Sequence, residues 1–188
     1  MNEITYASVE DCVLSELRTA LSSVDAESVE QLVTAIENAD QVFFVGVGRV
    51  MLSLQAIAKR LAHLGIRAHC VGEITEPAIT KNDLLIVGSG SGTTLFPAAI
   101  AKKAHDIGAS VVHIGSNPNS PLRDIEAFMV RIPVRTKYYL DDEIDSKQPM
   151  TSLFEQSLLL LGDIVAKMII DRRGLDMKSL WQYHANLE

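Results

Sequence analysis

The sequence predicts an α/β fold, a three-layer α-β-α sandwich built on a parallel sheet. Short apolar runs such as Leu84-Leu85-Ile86-Val87 carry no polar alternation, the pattern of a strand buried on both faces. These runs alternate with longer segments of helical periodicity, as in a βαβ chain. The strand ends run into glycine and hydroxyl residues that feed helices. With 188 residues and 47% hydrophobic content, one compact domain spanning 1–188 is expected.

Taken in order, Val9, Val13, Leu17 and Leu21 recur at helical spacing and predict an amphipathic helix over 6–22. Asp25 has the chemistry of an N-cap for a second helix bearing Val29, Leu32, Val33 and Ile36, so the N-terminal helices occupy 6–38. The α/β core follows over 41–132. Residues 41–45 form the first strand, and Gly46-Val47-Gly48-Arg49 leads into a helix over 50–64 that stops at Gly65. Residues 67–71 form a second strand, and 74–82 a loop containing Pro77. The strand at 84–87 enters a glycine-rich turn and a helix over 95–107. Strand 110–114 ends in Gly115-Ser116-Asn117-Pro118-Asn119-Ser120-Pro121, a run of turn formers before a short helix at 121–126. Residues 128–132 form the last strand. After an acidic loop at 141–145, C-terminal helices cover 151–184, the first of them over 151–171. That helix is apolar over so wide an arc, from Leu153 to Ile170, that it is expected to be buried on several sides and to meet a partner subunit.

The turn Gly88-Ser89-Gly90-Ser91-Gly92-Thr93-Thr94 carries the strongest chemical signal. Glycines let backbone N–H groups approach a ligand, hydroxyls add donors, and the following helix presents its unpaired amides and dipole. No lysine follows the glycines, so the nucleotide P-loop pattern is absent. A monoester phosphate on a small molecule suits the turn better than a triphosphate. Ligands on open parallel sheets lie outside the carboxyl ends of the strands. That rule puts Gly48, Arg49, Glu73, Ser89–Thr94 and Ser116–Ser120 on one rim, with Arg49 facing phosphate or sugar oxygens. Gly46-Val47-Gly48 opens a dinucleotide fingerprint, but Met51 occupies the position of its third glycine.

A net charge of −7 argues against a broad nucleic-acid footprint. Glu155, Asp163 and Lys167 interrupt the longest apolar segment, which is too polar to span a bilayer. The two cysteines, Cys12 and Cys70, lack metal-ligand spacing, and no basic region precedes an apolar core near the first residue. Reduced thiols in a cytoplasmic protein are the expectation. His63, His69, His105 and His113 show no mutual ligand spacing either, so no metal is expected.

Five stretches together resemble the 6-phospho-3-hexuloisomerase family of the sugar isomerase (SIS) superfamily. They are Phe44-Val45-Gly46-Val47-Gly48-Arg49, Val71-Gly72-Glu73, the turn Gly88–Thr94, Pro149-Met150-Thr151-Ser152-Leu153-Phe154-Glu155-Gln156 and His184-Ala185-Asn186-Leu187-Glu188. The resemblance covers nearly the whole chain in the family's order. It implies a five-stranded, flavodoxin-like parallel sheet, a homotetramer, no cofactor, and interconversion of 3-hexulose 6-phosphate with fructose 6-phosphate. One position departs: Val50 stands where the family has a substrate-binding serine.

Moving a carbonyl between C3 and C2 requires a base that removes a carbon-bound proton, an enediol, and a donor that polarises the carbonyl oxygen. The resemblance makes Glu155 the base and His184 an auxiliary acid or polariser that reaches a neighbouring subunit. Ser152-Leu153-Phe154-Glu155 also has the spacing of a capping box, in which Glu155 would only tie the helix start. Gly48, Arg49, Ser89, Gly90, Ser91, Gly92, Thr93 and Thr94 are the expected substrate-binding set. Two other functions stay open on these residues, a non-catalytic sugar-phosphate-binding module and an isomerase of another ketose phosphate.

Overall fold

The computed structural model describes residues 4–187, so Glu188, the last residue of the C-terminal motif, lies outside the described residues. Two helices, α1 (Tyr6–Ser22) and α2 (Ala26–Asn38), precede the sheet. The Asp25 carboxylate caps α2 by accepting from the Ser28 N–H at 2.8 Å. Then come β1 (Val42–Val45), α3 (Gly48–Ala62), β2 (Ala68–Cys70), β3 (Leu84–Gly88), α4 (Leu95–Ile107), β4 (Ser110–Gly115), β5 (Phe128–Arg131) and α5 (Ser152–Arg173). The expected short helices at 121–126 and near the C-terminus are single 3₁₀ turns, Pro121–Asp124 and Ser179–Tyr183.

All five strands are parallel, in the order β2-β1-β3-β4-β5. This is the flavodoxin-like order, and it reverses direction between β1 and β3. In-register pairing of Val42 with Leu84 and of Val45 with Val87 brings the two strand ends level. The turns after β1 and after β3 therefore open side by side.

The layers are unequal. Phe44, Ile86, Val112 and Val130 point to the face covered by α1, α2, α3 and α5. Phe43, Val45, Leu85, Val87 and Val111 point to the other face, beneath α4 and the 121–124 turn. The expected burial of α5 on several sides is met inside the chain itself. Its wide apolar arc is consumed largely within the chain: Leu153, Phe154, Leu158, Leu161, Val165 and Ile169 are buried among its own helices and sheet. A Cβ at Gly162 would lie 2.2 Å from Ile57 Cγ1, so glycine is what lets α5 lie so close to α3. Only Leu160 and Ile164 remain exposed among the large apolar side chains of α5.

Candidate active site

The site grows from the two neighbouring turns. After β1, Gly46 has no room for a side chain, because a Cβ there would meet Leu54 Cδ1 at 2.9 Å. Gly48 then takes φ +57°, a left-handed conformation that glycine adopts without strain, and α3 starts there, two residues earlier than expected. This sets Arg49 on the first turn of α3.

After β3, the hydroxyl turn is internally braced. Ser89 Oγ accepts from the Gly92 N–H at 3.1 Å and lies 3.2 Å from Thr94 Oγ1. Ser91 Oγ accepts from the Thr93 N–H and the Thr93 hydroxyl. With its oxygen so occupied, the Ser91 hydroxyl keeps its own proton for a ligand. From β4, the N–H groups of Ser116 and Asn117 donate to the Gly90 carbonyl at 2.9 and 3.0 Å. Beneath the turn, the fully buried His113 places Nε2 at 2.8 Å from the Ser89 carbonyl oxygen. Gly92, at φ +66°, is fixed by space, since a Cβ there would lie 2.3 Å from Ser120. The expected rim is thus partly corrected. Ser116, Asn117 and Ser120 are buried supports beneath the turn, and Glu73 does not line the cavity.

Across from the turn stands the start of α5. Its N-cap is Thr151, which makes no side-chain capping bond, so Glu155 falls one position past the place a capping box requires. Its carboxylate instead accepts from the Thr151 hydroxyl at 2.8 Å and from Arg49 Nε. The Ser53 hydroxyl holds the Glu155 carbonyl at 2.9 Å, locking α3 to α5 behind the pair. The Glu155 side chain is 10% exposed and that of Arg49 64%, so a shielded carboxylate is oriented by a largely open guanidinium.

These parts enclose a cavity of about 290 Å³ lined by Arg49, Val50, Ser89, Ser91, Thr94 and Glu155, among others. That volume suits a small phosphorylated metabolite. Family-model comparison matches residues 35–161 to the SIS domain, more than half of the chain. The chain belongs to the SIS domain family. It is 37% identical over 176 residues to the 3-hexulose-6-phosphate isomerase of Bacillus subtilis (strain 168), covering 94% of this chain and 95% of that one. The enzyme of that name from Mycobacterium gastri is 38% identical, with 94% and 88% covered. Among solved structures, a hypothetical protein of Methanococcus jannaschii superposes with a TM-score of 0.82 at 30% identity, covering 96% of this chain and 99% of that one. A molecular function of 3-hexulose-6-phosphate isomerase was inferred for that protein.

Within this SIS fold, Gly48, Arg49, Ser89, Gly90, Ser91, Thr94 and Glu155 come together as cavity residues. Gly92 and Thr93 belong to the same turn but do not line the cavity. His184 is elsewhere. Its ring stacks on His63, the C-cap of α3, with centroids 5.2 Å apart, while Arg49 sits at the other end of that helix. At 1.5 Å per residue the two ends of α3 are about 20 Å apart. His184 lines a separate cavity of about 370 Å³ with Trp181, Leu180 and Arg60.

Sequence reasoning missed Thr136 and Lys137 altogether, and it named Val47, Val50, Gly88, Thr151 and Phe154 in motifs without assigning them to the expected site. The first two follow β5, and the rule that ligands lie beyond strand ends pointed there; the irregular stretch offered no periodicity to select among its residues. Val50 reaches the floor of the cavity, where Gly88 makes room for it: a Cβ on Gly88 would lie 2.9 Å from Val50 Cγ1.

Proposed function

We propose that this SIS domain interconverts 3-hexulose 6-phosphate and fructose 6-phosphate by proton transfer through a 2,3-enediol. One observation carries the reading: an oriented, shielded carboxylate, Glu155, faces the same cavity as a braced hydroxyl turn. Isomerase relatives of that name, matching over nearly their whole length, support it. In this reading Ser89, Ser91 and Thr94, with the turn amides around Gly90, hold the phosphate, while Gly92 and Thr93 shape the turn. Phosphate held at C6 leaves the far end of the sugar toward α5. Glu155 removes the proton from C2 of the 3-hexulose, the carbonyl at C3 becomes a hydroxyl, and the proton returns to C3 as the C2 carbonyl forms. Arg49 orients the carboxylate and stabilises charge that develops on the adjacent enediol oxygens.

His184 can enter this reaction only from another copy of the chain, so a homo-oligomer, a tetramer by the family resemblance, is the working assembly. Exposed Leu52, Leu95, Phe96 and Met150 near the mouth support such a contact. Among the described residues no helix is long and apolar enough to cross a membrane, which agrees with a cytoplasmic site of action. The packing of α5 against α1, α2 and α3 supports treating 1–188 as one domain.

The test is hydrogen exchange of fructose 6-phosphate in deuterated water, followed by NMR. Deuterium should enter at C3, the carbon whose proton is lost when the enediol forms from this side. Entry at C1 would mark an isomerase of another type. No entry at any carbon, with fructose 6-phosphate bound, would reduce the protein to a binding module.

A further inference from the structure

Residues 133–145 form a strap across the mouth of the cavity, and its construction assigns a role to Lys137. The strap is closed at its base, where Ile144 donates to the Pro133 carbonyl at 2.8 Å and Arg135 to the Ile144 carbonyl at 2.9 Å. Glu143 buckles it. Its carboxylate accepts from the Thr136 N–H (3.0 Å), the Thr136 hydroxyl (2.8 Å), the Leu140 N–H (3.0 Å) and the Ser116 hydroxyl at the end of β4 (3.0 Å). Arg131 pairs with Asp142 at 2.7 Å and Arg135 pairs with Asp145. The tip reaches the hydroxyl turn itself, with Tyr138 Oη 2.7 Å from Thr93 Oγ1. Because Thr93 donates to Ser91, Tyr138 must donate to Thr93, and the ordered chain Tyr138–Thr93–Ser91 ends with the Ser91 proton free for a ligand.

The charges in the cavity are uneven. Of its lining residues, Arg49, Lys137 and Glu155 are charged, and Arg49 is committed to Glu155. None of the ion pairs among the described residues includes Lys137; its ammonium rests 5.1 Å from the centroid of the Tyr138 ring. A phosphate monoester in the hydroxyl turn would otherwise meet neutral donors alone.

We propose that Lys137 is the counter-cation of the substrate phosphate, and that Glu143 is the positioning residue that holds the strap so that Lys137 faces the turn. This rests on the turn being the phosphate site of the proposed function. Lys137 contributes to binding in the ground state and the transition state alike, so it acts on KM rather than on kcat.

The experiment compares wild type, Lys137→Met, Lys137→Arg, Glu143→Gln and the Lys137→Met/Glu143→Gln pair. Calorimetry measures binding of fructose 6-phosphate, fructose and inorganic phosphate, and turnover is measured in parallel. Lys137→Met keeps the aliphatic stem and should weaken both phosphate ligands about 10–100-fold, leave fructose unchanged and alter kcat less than about threefold. Lys137→Arg should restore most of the affinity. Glu143→Gln replaces a four-fold acceptor with a group that has a donor on one side, and should weaken the same two ligands. In the Lys137→Met background it should add almost nothing, because its effect passes through Lys137. Undiminished phosphate affinity in Lys137→Met, a fall in kcat at constant KM, or no phosphate binding by the wild type would each overturn the assignment. A full Glu143→Gln effect without Lys137 would overturn the positioning role. If phosphate binding depends on Lys137 while fructose 6-phosphate shows no exchange, the isomerase reading falls and this one stands.

Discussion

At the scale of the residue, Glu155 shows how one side chain satisfies two sequence patterns and the backbone chooses between them. With the N-cap at Thr151 rather than Ser152, the carboxylate is one position too far along to reach the cap amide, and it turns to Arg49 and the Thr151 hydroxyl. Glu155→Gln keeps the shape and one acceptor oxygen but cannot take a proton from carbon. Turnover should fall about 10²–10⁴-fold, with thermal melting and fructose 6-phosphate affinity close to wild type. Retained exchange at C3 in the purified variant would remove Glu155 as the base.

Between elements, the joint from α1 to the segment before α5 depends on one carboxylate. Glu16 accepts from the Ser146 hydroxyl (2.6 Å), the Lys147 N–H (2.8 Å) and the Gln148 side-chain amide (3.1 Å). Burial pushes its carboxyl up, but the Lys147 N–H and the Ser146, Gln148 and Cys12 donors outweigh burial and hold it below the usual 4.5. A carboxylate depressed by folding stabilises the native state above its unfolded pKa, and that contribution is lost as pH falls through the folded value. The stability gap between wild type and Glu16→Gln should therefore be full at neutral pH and shrink below about pH 4.5 in urea titrations at stepped pH. A gap that stays constant down to the acid limit would show that the joint does not use the charge.

On the scale of the whole molecule, the two ends of α3 separate groups that the family resemblance assigns to one reaction. Glu155 and Arg49 meet at one end, and His184 stacks on His63 at the other. If His184 serves a neighbouring protomer, mixing inactive Glu155→Gln and His184→Asn chains under conditions of subunit exchange builds some sites with both wild-type groups. Activity should then reappear in the mixture, approaching about a quarter of the wild-type level for random pairing of two site halves. A mixture as inactive as its parents, with exchange of subunits demonstrated by mass spectrometry, would remove His184 from the site.

The sequence by itself determined most of the elements and the glycine–hydroxyl turn after β3. The unbroken apolar run Leu84–Val87, bounded by turn formers, reads as a central strand, and the glycines between hydroxyls that follow it read as a turn rather than a continuation of the strand. These are local signals, carried by residues adjacent in the chain. Tertiary structure alone decided what α5 packs against, because Gly162 and Ile57 meet only through the fold and a helical period does not say which surface covers it. It also decided that Glu155 pairs with Arg49, 106 residues away, and that the strap brings Lys137 over a turn more than forty residues earlier. Long-range pairing leaves no periodic trace, since each partner satisfies only its own local pattern until the sheet order sets their strand ends side by side.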